Sequence, residues 1–462
     1  MILRDLILAV MFLLIISLFL ASCEFLRRRL KVDPELSRKA VHIGGCAMAM
    51  LLPLFFKTHW PVLVITSVAS LGIYLGGRRH LLHALDDVER DSAGGLYHPL
   101  AIYVCFVLSS RLGNMIFFEI GMLVLALSDS MAALVGRAYG QRKYLVDNGD
   151  RKSLEGSAIF FLLTFLIVHL GLLLFTESGR WECVLSALLI ACLVTIFEAI
   201  SLRGADNFFV PIGTVFILAK NVNPDAEAIL HQFAIMVVAF SVMHVIMRPY
   251  GKIGFSGYVA FSLAAYTAGG LIQVSWMFAI VYSAFLMCRT RLVMDAPVDQ
   301  DHKHRVEAIS LFCIVPVVWV LAANLTTKLN GLSTGCFFVG PYISSLSAQL
   351  TEMRRQTLMT RRHSGTNNNL LIGVISLWFP LALLLVLEKF ERVRDVWFTA
   401  VLSCFSAIVI TWLLKVVVAE KTVSKRGLRH IALLVSLVVT MLQVLAEIIY
   451  FFWWSTNTGE WP

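Results

Sequence analysis

Apolar residues along this chain come in long runs and do not alternate with polar ones. Leu6 to Ile16 is unbroken, and Ala158 to Phe175 is interrupted only by Thr164, His169 and Gly171. Short clusters rich in Arg, Lys, Gly and Pro separate the runs. A helix needs ~20 residues to cross a hydrocarbon core of ~30 Å, and the long runs are near that length. The pattern therefore predicts an all-α, polytopic transmembrane helical bundle of about sixteen spans.

Composition agrees with the pattern. The chain has 462 residues, of which 58% are hydrophobic and 15% charged, with mean hydropathy +0.79, so there are too few charges to cover a water-soluble globule. Direction follows from the basic residues, which stay on the cytoplasmic side. With the amino terminus outside, the inner loops collect Arg27, Arg28, Arg29, Lys31, Arg38 and Lys39, then Arg78, Arg79 and Arg90, then Arg137, Arg142, Lys143, Arg151 and Lys152. The bias continues through Arg354, Arg355, Arg361 and Arg362, and through Lys421, Lys425, Arg426 and Arg429. The net charge of +9 is thus first a topological signal, and no nucleic-acid partner is expected from it.

Leu20-Ala21-Ser22-Cys23 fits a lipoprotein cleavage pattern, but cleavage would leave the Arg27–Lys39 block outside, so an uncleaved first span is expected. The nine cysteines show no CxxC pair and no Cys/His ligand spacing, and read as small buried hydrophobes. Polar residues near membrane faces crowd between Arg38 and Pro211. That crowding divides the chain into a catalytic membrane domain, 1–225, and a second helical module, 226–462, with the acidic, turn-rich stretch Asn221 to His231 at the boundary.

Polar islands stand at the inner ends of the runs. Arg38-Lys39 with His42 comes first. His42 follows Arg38 by one helical turn and faces the same way, although such a histidine also serves as a packed residue. Asp91-Ser92-Ala93-Gly94-Gly95-Leu96-Tyr97-His98-Pro99 comes second, with Pro99 suited to the first turn of a helix. The third is Asp129 between Ser128 and Ser130. An intramembrane carboxylate is expensive without a cation, which points to a Mg²⁺ ligand or, on the structural side, to a pair with Arg137 or Lys152. The small residues Ala132, Ala133, Gly136 and Gly140 that follow allow close helix packing.

The fourth island, Arg151-Lys152-Ser153 running into Glu155-Gly156-Ser157, supplies a cation, hydroxyls and helix-start N–H groups for a phosphate cradle. GxxxxGK[ST] is absent, so a P-loop ATPase is not expected. The fifth joins Glu198 through Asp206 and Asn207 to Pro211. There Glu198 and Asp206 are further metal ligands, with Asp206 alternatively a helix cap. Topology puts all these islands on one face.

In this order they resemble the phytol kinase and dolichol kinase family of CTP-dependent lipid-alcohol kinases, over roughly residues 25 to 220. The matching pieces are Arg38-Lys39-Ala-Val-His42, Gly94-Gly95-Leu-Tyr-His-Pro99, Asp129 through Gly136-Arg137 to Gly140, Lys152-Ser153-Leu-Glu155-Gly156, and Glu198 through Asp206-Asn207 to Pro211. The resemblance implies phosphoryl transfer from a nucleoside triphosphate, typically CTP, to an isoprenoid alcohol or a diacylglycerol. It implies Asp129, Lys152, Arg38, Lys39, His42 and Asp206 as catalytic groups, and Gly136, Arg137, Gly140, Ser153, Glu155, Gly156 and Asn207 as nucleotide contacts. Asp129, Glu198 and Asp206 are then the Mg²⁺ ligands, and His42 or Asp206 the base.

Asp129 to Gly156 is also similar to phosphatidate cytidylyltransferases, which transfer a cytidylyl group and make CDP-diacylglycerol. A transporter, the other alternative, would place its polar groups near mid-bilayer in paired halves. A bacterial cytoplasmic membrane is the expected location, and Asp129→Asn is expected to abolish turnover with little loss of folded protein.

Overall fold

The computed structural model describes residues 2–78, 94–147, 150–201, 204–221, 225–248 and 255–271, with isolated positions up to 284. The spans expected beyond these, most of the second module, and Arg79, Arg90, Asp91, Ser92 and Arg203 lie outside the described residues, as does the Arg151 side chain. The chain divides into two compact units, Met1–Phe233 and Ala234–Pro462.

The first unit is a helical bundle built from α1 (Ile2–Leu30), α2 (Pro34–Met50), the short α3 (Leu52–Phe55), α4 (His59–Arg78), α5 (Gly94–Arg111), α6 (Ile116–Leu123), a π-helical turn (Val124–Asp129), α7 (Ser130–Tyr139), α8 (Leu154–Phe175), α9 (Arg180–Ile200) and α10 (Asp206–Lys220). The helix α11 (Ala226–Met247) follows, and α12 (Phe255–Leu271) belongs to the second unit, where Tyr258 donates to the Phe240 carbonyl at 2.8 Å. Six of the described helices are long and apolar enough to cross a membrane. One departure from an all-α fold is a hairpin between α7 and α8, in which β1 (Lys143–Asp147) pairs antiparallel with β2 (Asp150–Ser153), with Tyr144 opposite Lys152. Its sequence signal is the short Tyr144-Leu145-Val146 run followed by Asn148-Gly149, a dipeptide favoured in tight hairpin turns.

One face of α8 is lined with exposed leucines. On α8 the large residues Leu154, Leu162, Leu166, Leu170 and Leu174 are exposed, while Gly156, Phe160, Thr164, Val168 and Gly171 form the buried stripe. That spacing is the 3.6-residue period of one helix face. The central helix is α9, with Cys183, Ala187, Leu189, Ile190, Ala191, Leu193 and Val194 fully buried, packed against α8 and α10.

Helix ends are set by identifiable groups. Asp33 caps α2, accepting from the Glu35 and Leu36 amides at 2.9 and 3.3 Å, with Pro34 at the first helical position. Pro99 does not open its helix as expected, because α5 starts earlier, at Gly94, and carries the proline inside. Asp206 is not a cap either. It is the first residue of α10, and its Oδ1 accepts from the next amide, Asn207 N, at 3.0 Å.

A close backbone contact joins α7 to α8. A Cβ on Gly156 would lie 2.8 Å from the Ala132 carbonyl oxygen and 3.3 Å from Gly136 Cα, so two backbones meet where no side chain fits. Gly156→Ala is therefore expected to lower thermal stability in detergent, by about 1–3 kcal/mol of overpacking. Gly72→Ala, where nothing lies within 4 Å, should be neutral or stabilising by about 0.5–1 kcal/mol. Equal melting of the two variants in a thermal-shift measurement would contradict this packing.

A candidate active site at one end of the bundle

The π-helical turn places Asp129 at its last position, inside a continuous apolar span, and wide turns of this kind recur at functional sites. Asp129 is 6% exposed. The side chain that pairs with it is Lys39, rather than Arg137 or Lys152, the cations of the structural alternative. Lys39 Nζ lies 2.5 Å from Asp129 Oδ2 and 3.4 Å from its backbone carbonyl, with the lysine only 4% exposed. Lys39 reaches across because α2 starts at the end of the bundle where the α6–α7 span finishes.

His42, nearly one turn further along α2, meets the same π-helical turn. Its Nε2 is 3.2 Å from the Leu125 carbonyl and 3.7 Å from Asp129 Oδ2. A carbonyl only accepts, so Nε2 carries the hydrogen and Nδ1 presents a lone pair. That lone pair faces His98 Nδ1 at 3.1 Å, and His98 Nε2 lies 3.8 Å from Cys46 Sγ.

A second ion pair sits beside the first. Lys152, at the end of the hairpin, donates to Glu198 Oε1 at 2.7 Å and also contacts the Glu198 backbone carbonyl, joining the start of α8 to the end of α9. Burial pulls the Lys152 ammonium toward its neutral form. The Glu198 and Asp206 carboxylates outweigh that and hold it above the ordinary lysine value, so the charge persists through neutral pH and is lost only under strongly alkaline conditions. Asp129 and Asp206 both lie close enough to Arg38 for their charges to act on it, and Asp129 and Asp206 act likewise on Glu198. Asp129, Lys152 and Asp206, which come from distant parts of the chain, thus converge.

Other expected site residues are engaged elsewhere. Arg137 is exposed and forks onto Asp33 at 2.8 and 3.1 Å; its hydrogen bond is the main cause that holds the Asp33 carboxyl below the usual range. Glu155 accepts from the Arg142 amide at 3.2 Å, steadying the start of the hairpin. The hydroxyls of the expected phosphate cradle are taken, Ser153 Oγ by the Gly156 amide at 3.1 Å and Ser157 Oγ by Tyr144 at 2.8 Å. Gly136, Gly140 and Gly156 line the α7–α8 contact around Ser153. Asn207 is 8% exposed beside Asp206. His98 stands in the second island without an assigned role, and Cys46 carries no sequence signal beyond its place in an apolar run.

Several polar atoms remain available. Glu198 Oε2 and the hydroxyls of Ser128 and Ser130, which flank Asp129, are buried with no hydrogen-bond partner among the described residues. Buried carboxylate and hydroxyl oxygens of this kind suit Mg²⁺, which takes one or two carboxylates and completes its shell with substrate phosphates.

Residues 1–200 match the model of a family described as the Cytidylyltransferase family. The chain is similar to a phytol kinase of Synechocystis sp., at 35% identity over 198 residues that make up 42% of this chain and 82% of that protein. The chain belongs to the phytol and dolichol kinase-like family of CTP-transferases. It is an integral membrane protein with a lipid-kinase-like function. No solved structure matches it. The family match ends at residue 200, yet Asp206 on α10 acts on Lys152 and Arg38, so the polar cluster reaches beyond the matched segment.

The Lys39–Asp129 pairing alters what neutralising Asp129 should do. Asp129→Asn would leave a buried lysine charge without its partner, an effect worth about 3–5 kcal/mol of lost stability. Adding Lys39→Met should restore most of it. Arg137→Ala, which breaks a solvent-exposed pair, should leave the melting temperature nearly unchanged. Thermal melts of the four proteins in one detergent check this, and a double variant no more stable than Asp129→Asn would overturn the pairing.

Proposed function

We propose that the chain is a CTP-dependent lipid-alcohol kinase that phosphorylates the primary hydroxyl of an isoprenoid alcohol, such as phytol or a polyprenol, or of a diacylglycerol. The reaction is placed at the cytoplasmic face, with the amino terminus outside, and a bacterial cytoplasmic membrane is the proposed location. The observation that carries the reading is the juxtaposition of two Lys–carboxylate pairs, the buried Lys39–Asp129 and the part-buried Lys152–Glu198, at one end of an apolar bundle. The similarity to a phytol kinase supports the lipid acceptor.

Phosphoryl transfer needs positioning and charge stabilisation more than covalent help. Lys39, Arg38 and Lys152 face the triphosphate and neutralise oxygens of the transferred and leaving groups. Asp129 and Glu198 would hold Mg²⁺, whose charge would lower the repulsion between the triphosphate and the incoming hydroxyl, and Asp206, the third expected ligand, is given the proton-accepting role instead. The alcohol oxygen forms a bond to the γ-phosphorus as the bond to the β-bridging oxygen breaks. CDP leaves, and the hydroxyl proton passes to Asp206 and then to water. His42 is not given the base role, because its nitrogen nearest Asp129 already carries a hydrogen; it orients the Asp129 segment. Nucleotide contacts are assigned to the cations and to Asn207, while Gly136, Gly140 and Gly156 contribute the close approach of α7 and α8.

Exposed apolar side chains flank the polar groups on the same segments. Leu127 and Met131 bracket Asp129, Leu154 follows Lys152, and Phe209 follows Asp206. They give a prenyl or acyl chain a lateral route to the cations.

A second reading, cytidylyl transfer to phosphatidate, is favoured by the description of the matching family. Incubating the reconstituted protein with CTP labelled at the γ or the α phosphate separates the two. The kinase transfers γ label to the alcohol and none from the α position, whereas α label in the lipid would establish cytidylyl transfer. Asp129→Asn and the Lys39→Met/Asp129→Asn pair should each lose at least ~10²-fold in turnover. Substantial activity in the stable double variant would remove Asp129 from the mechanism.

A further inference from the structure

We infer that His42, Cys46 and His98 form a site for a zinc-class divalent metal ion, distinct from the carboxylate cluster. One ligand atom from each of the three residues lies within 4.8 Å of the others. His42 and Cys46 are one helical turn apart on α2, and His98 comes from α5, so the site would bridge two helices. Cys46 is fully buried and His42 is 10% exposed at its side chain.

The ligand chemistry separates this site from Mg²⁺. Imidazole and thiolate are ligands for zinc-class ions, whereas Mg²⁺ takes oxygens. In a tetrahedral zinc shell with Zn–N bonds of ~2.0–2.1 Å, neighbouring nitrogens stand about 3.3 Å apart. The two Nδ1 atoms of His42 and His98 are 3.1 Å apart. The two nitrogens therefore need only tenths of an ångström of adjustment, and the thiolate, with ligand atoms all within 4.8 Å of one another, has to close by about 1 Å to reach the ~2.3 Å of a Zn–S bond.

The outer groups are also those a metal-bound histidine requires. His42 gives its far N–H to the Leu125 carbonyl beside the Asp129 carboxylate, which fixes the tautomer and leaves Nδ1 free to bind. Without metal, the same atoms form a neutral chain, in which Cys46 S–H points to His98 Nε2, and His98 Nδ1–H to His42 Nδ1. Binding would release the Cys46 proton to solvent and shift the remaining His98 hydrogen to Nε2, so that one proton is lost per ion bound. The three protein ligands leave a fourth position for water. The consequence is a clamp between α2 and α5 that holds the histidine orienting Asp129.

The test uses the full-length protein in detergent and reads metal directly, so it is independent of the lipid-kinase reading. Protein made in zinc-supplemented medium should hold about one zinc ion per chain by elemental analysis, as expected for a single three-ligand site. Cobalt loading should give intense four-coordinate visible bands together with a thiolate-to-cobalt charge-transfer band in the near ultraviolet. Cys46→Ser, a near-isosteric change that keeps both histidines, should remove the charge-transfer band and lower zinc retention at least ~10-fold, the scale of losing a ligand or its support. His98→Ala should remove the four-coordinate spectrum altogether. Wild-type protein that retains no more zinc than Cys46→Ser, or a cobalt spectrum that Cys46→Ser leaves unchanged, would overturn the site.

Discussion

Two lysine charges are taken out of water into a lipid-solvated bundle, and much of the architecture of the first unit answers that constraint. An ammonium or a carboxylate alone in such surroundings costs several kcal/mol, and mutual pairing with further hydrogen bonds makes its burial tolerable. Lys39 therefore has to find Asp129 from ninety residues away, and Lys152 has to find Glu198. Each pair fixes a helix end. The first ties the start of α2 to the π-helical turn, and the second ties the hairpin and the start of α8 to the end of α9. The polar cluster is thus a structural requirement of the bundle.

Packing elsewhere in the unit serves this arrangement. Lipid gives no hydrophobic drive for one apolar helix to meet another, so close approach depends on small residues and shape. At the α7–α8 contact, Gly136, Gly140 and Gly156 leave room for backbone against backbone, and the Ser153 hydroxyl fills the remaining polar need by capping α8. That contact brings the hairpin, and with it Lys152, alongside the span that carries Asp129. Glycines that look like nucleotide-binding residues in the sequence act here through geometry, by allowing two lysines to share one end of the bundle.

Family membership and structure bear on different parts of the question. The family match covers residues 1–200 and gives a lipid-kinase-like chemistry to the leading part of the chain. The structure adds α10, which follows the match and carries Asp206 and Asn207 to the same end. It also adds the His42–His98–Cys46 group, which joins α2 to α5 behind Asp129.

The sequence alone determined a helical, membrane-embedded chain, because runs of ~20 apolar residues have few other solutions in lipid. It also marked Asp129 as a group that needs a cation, since a carboxylate inside an apolar run is costly alone. It did not determine partners. Lys39, Arg137 and Lys152 are equivalent cations in a linear reading, and only the fold decides that Lys39 takes Asp129, Lys152 takes Glu198 and Arg137 turns outward to Asp33. The hairpin was missed because two short strands leave a weak signal between two strong helical ones. His98 and Cys46 gave no signal together, because residues 52 positions apart become neighbours only when α2 and α5 pack side by side. Spacing along a chain records which side chains share a helix face, whereas the meeting of different helices is set by the total packing of the bundle.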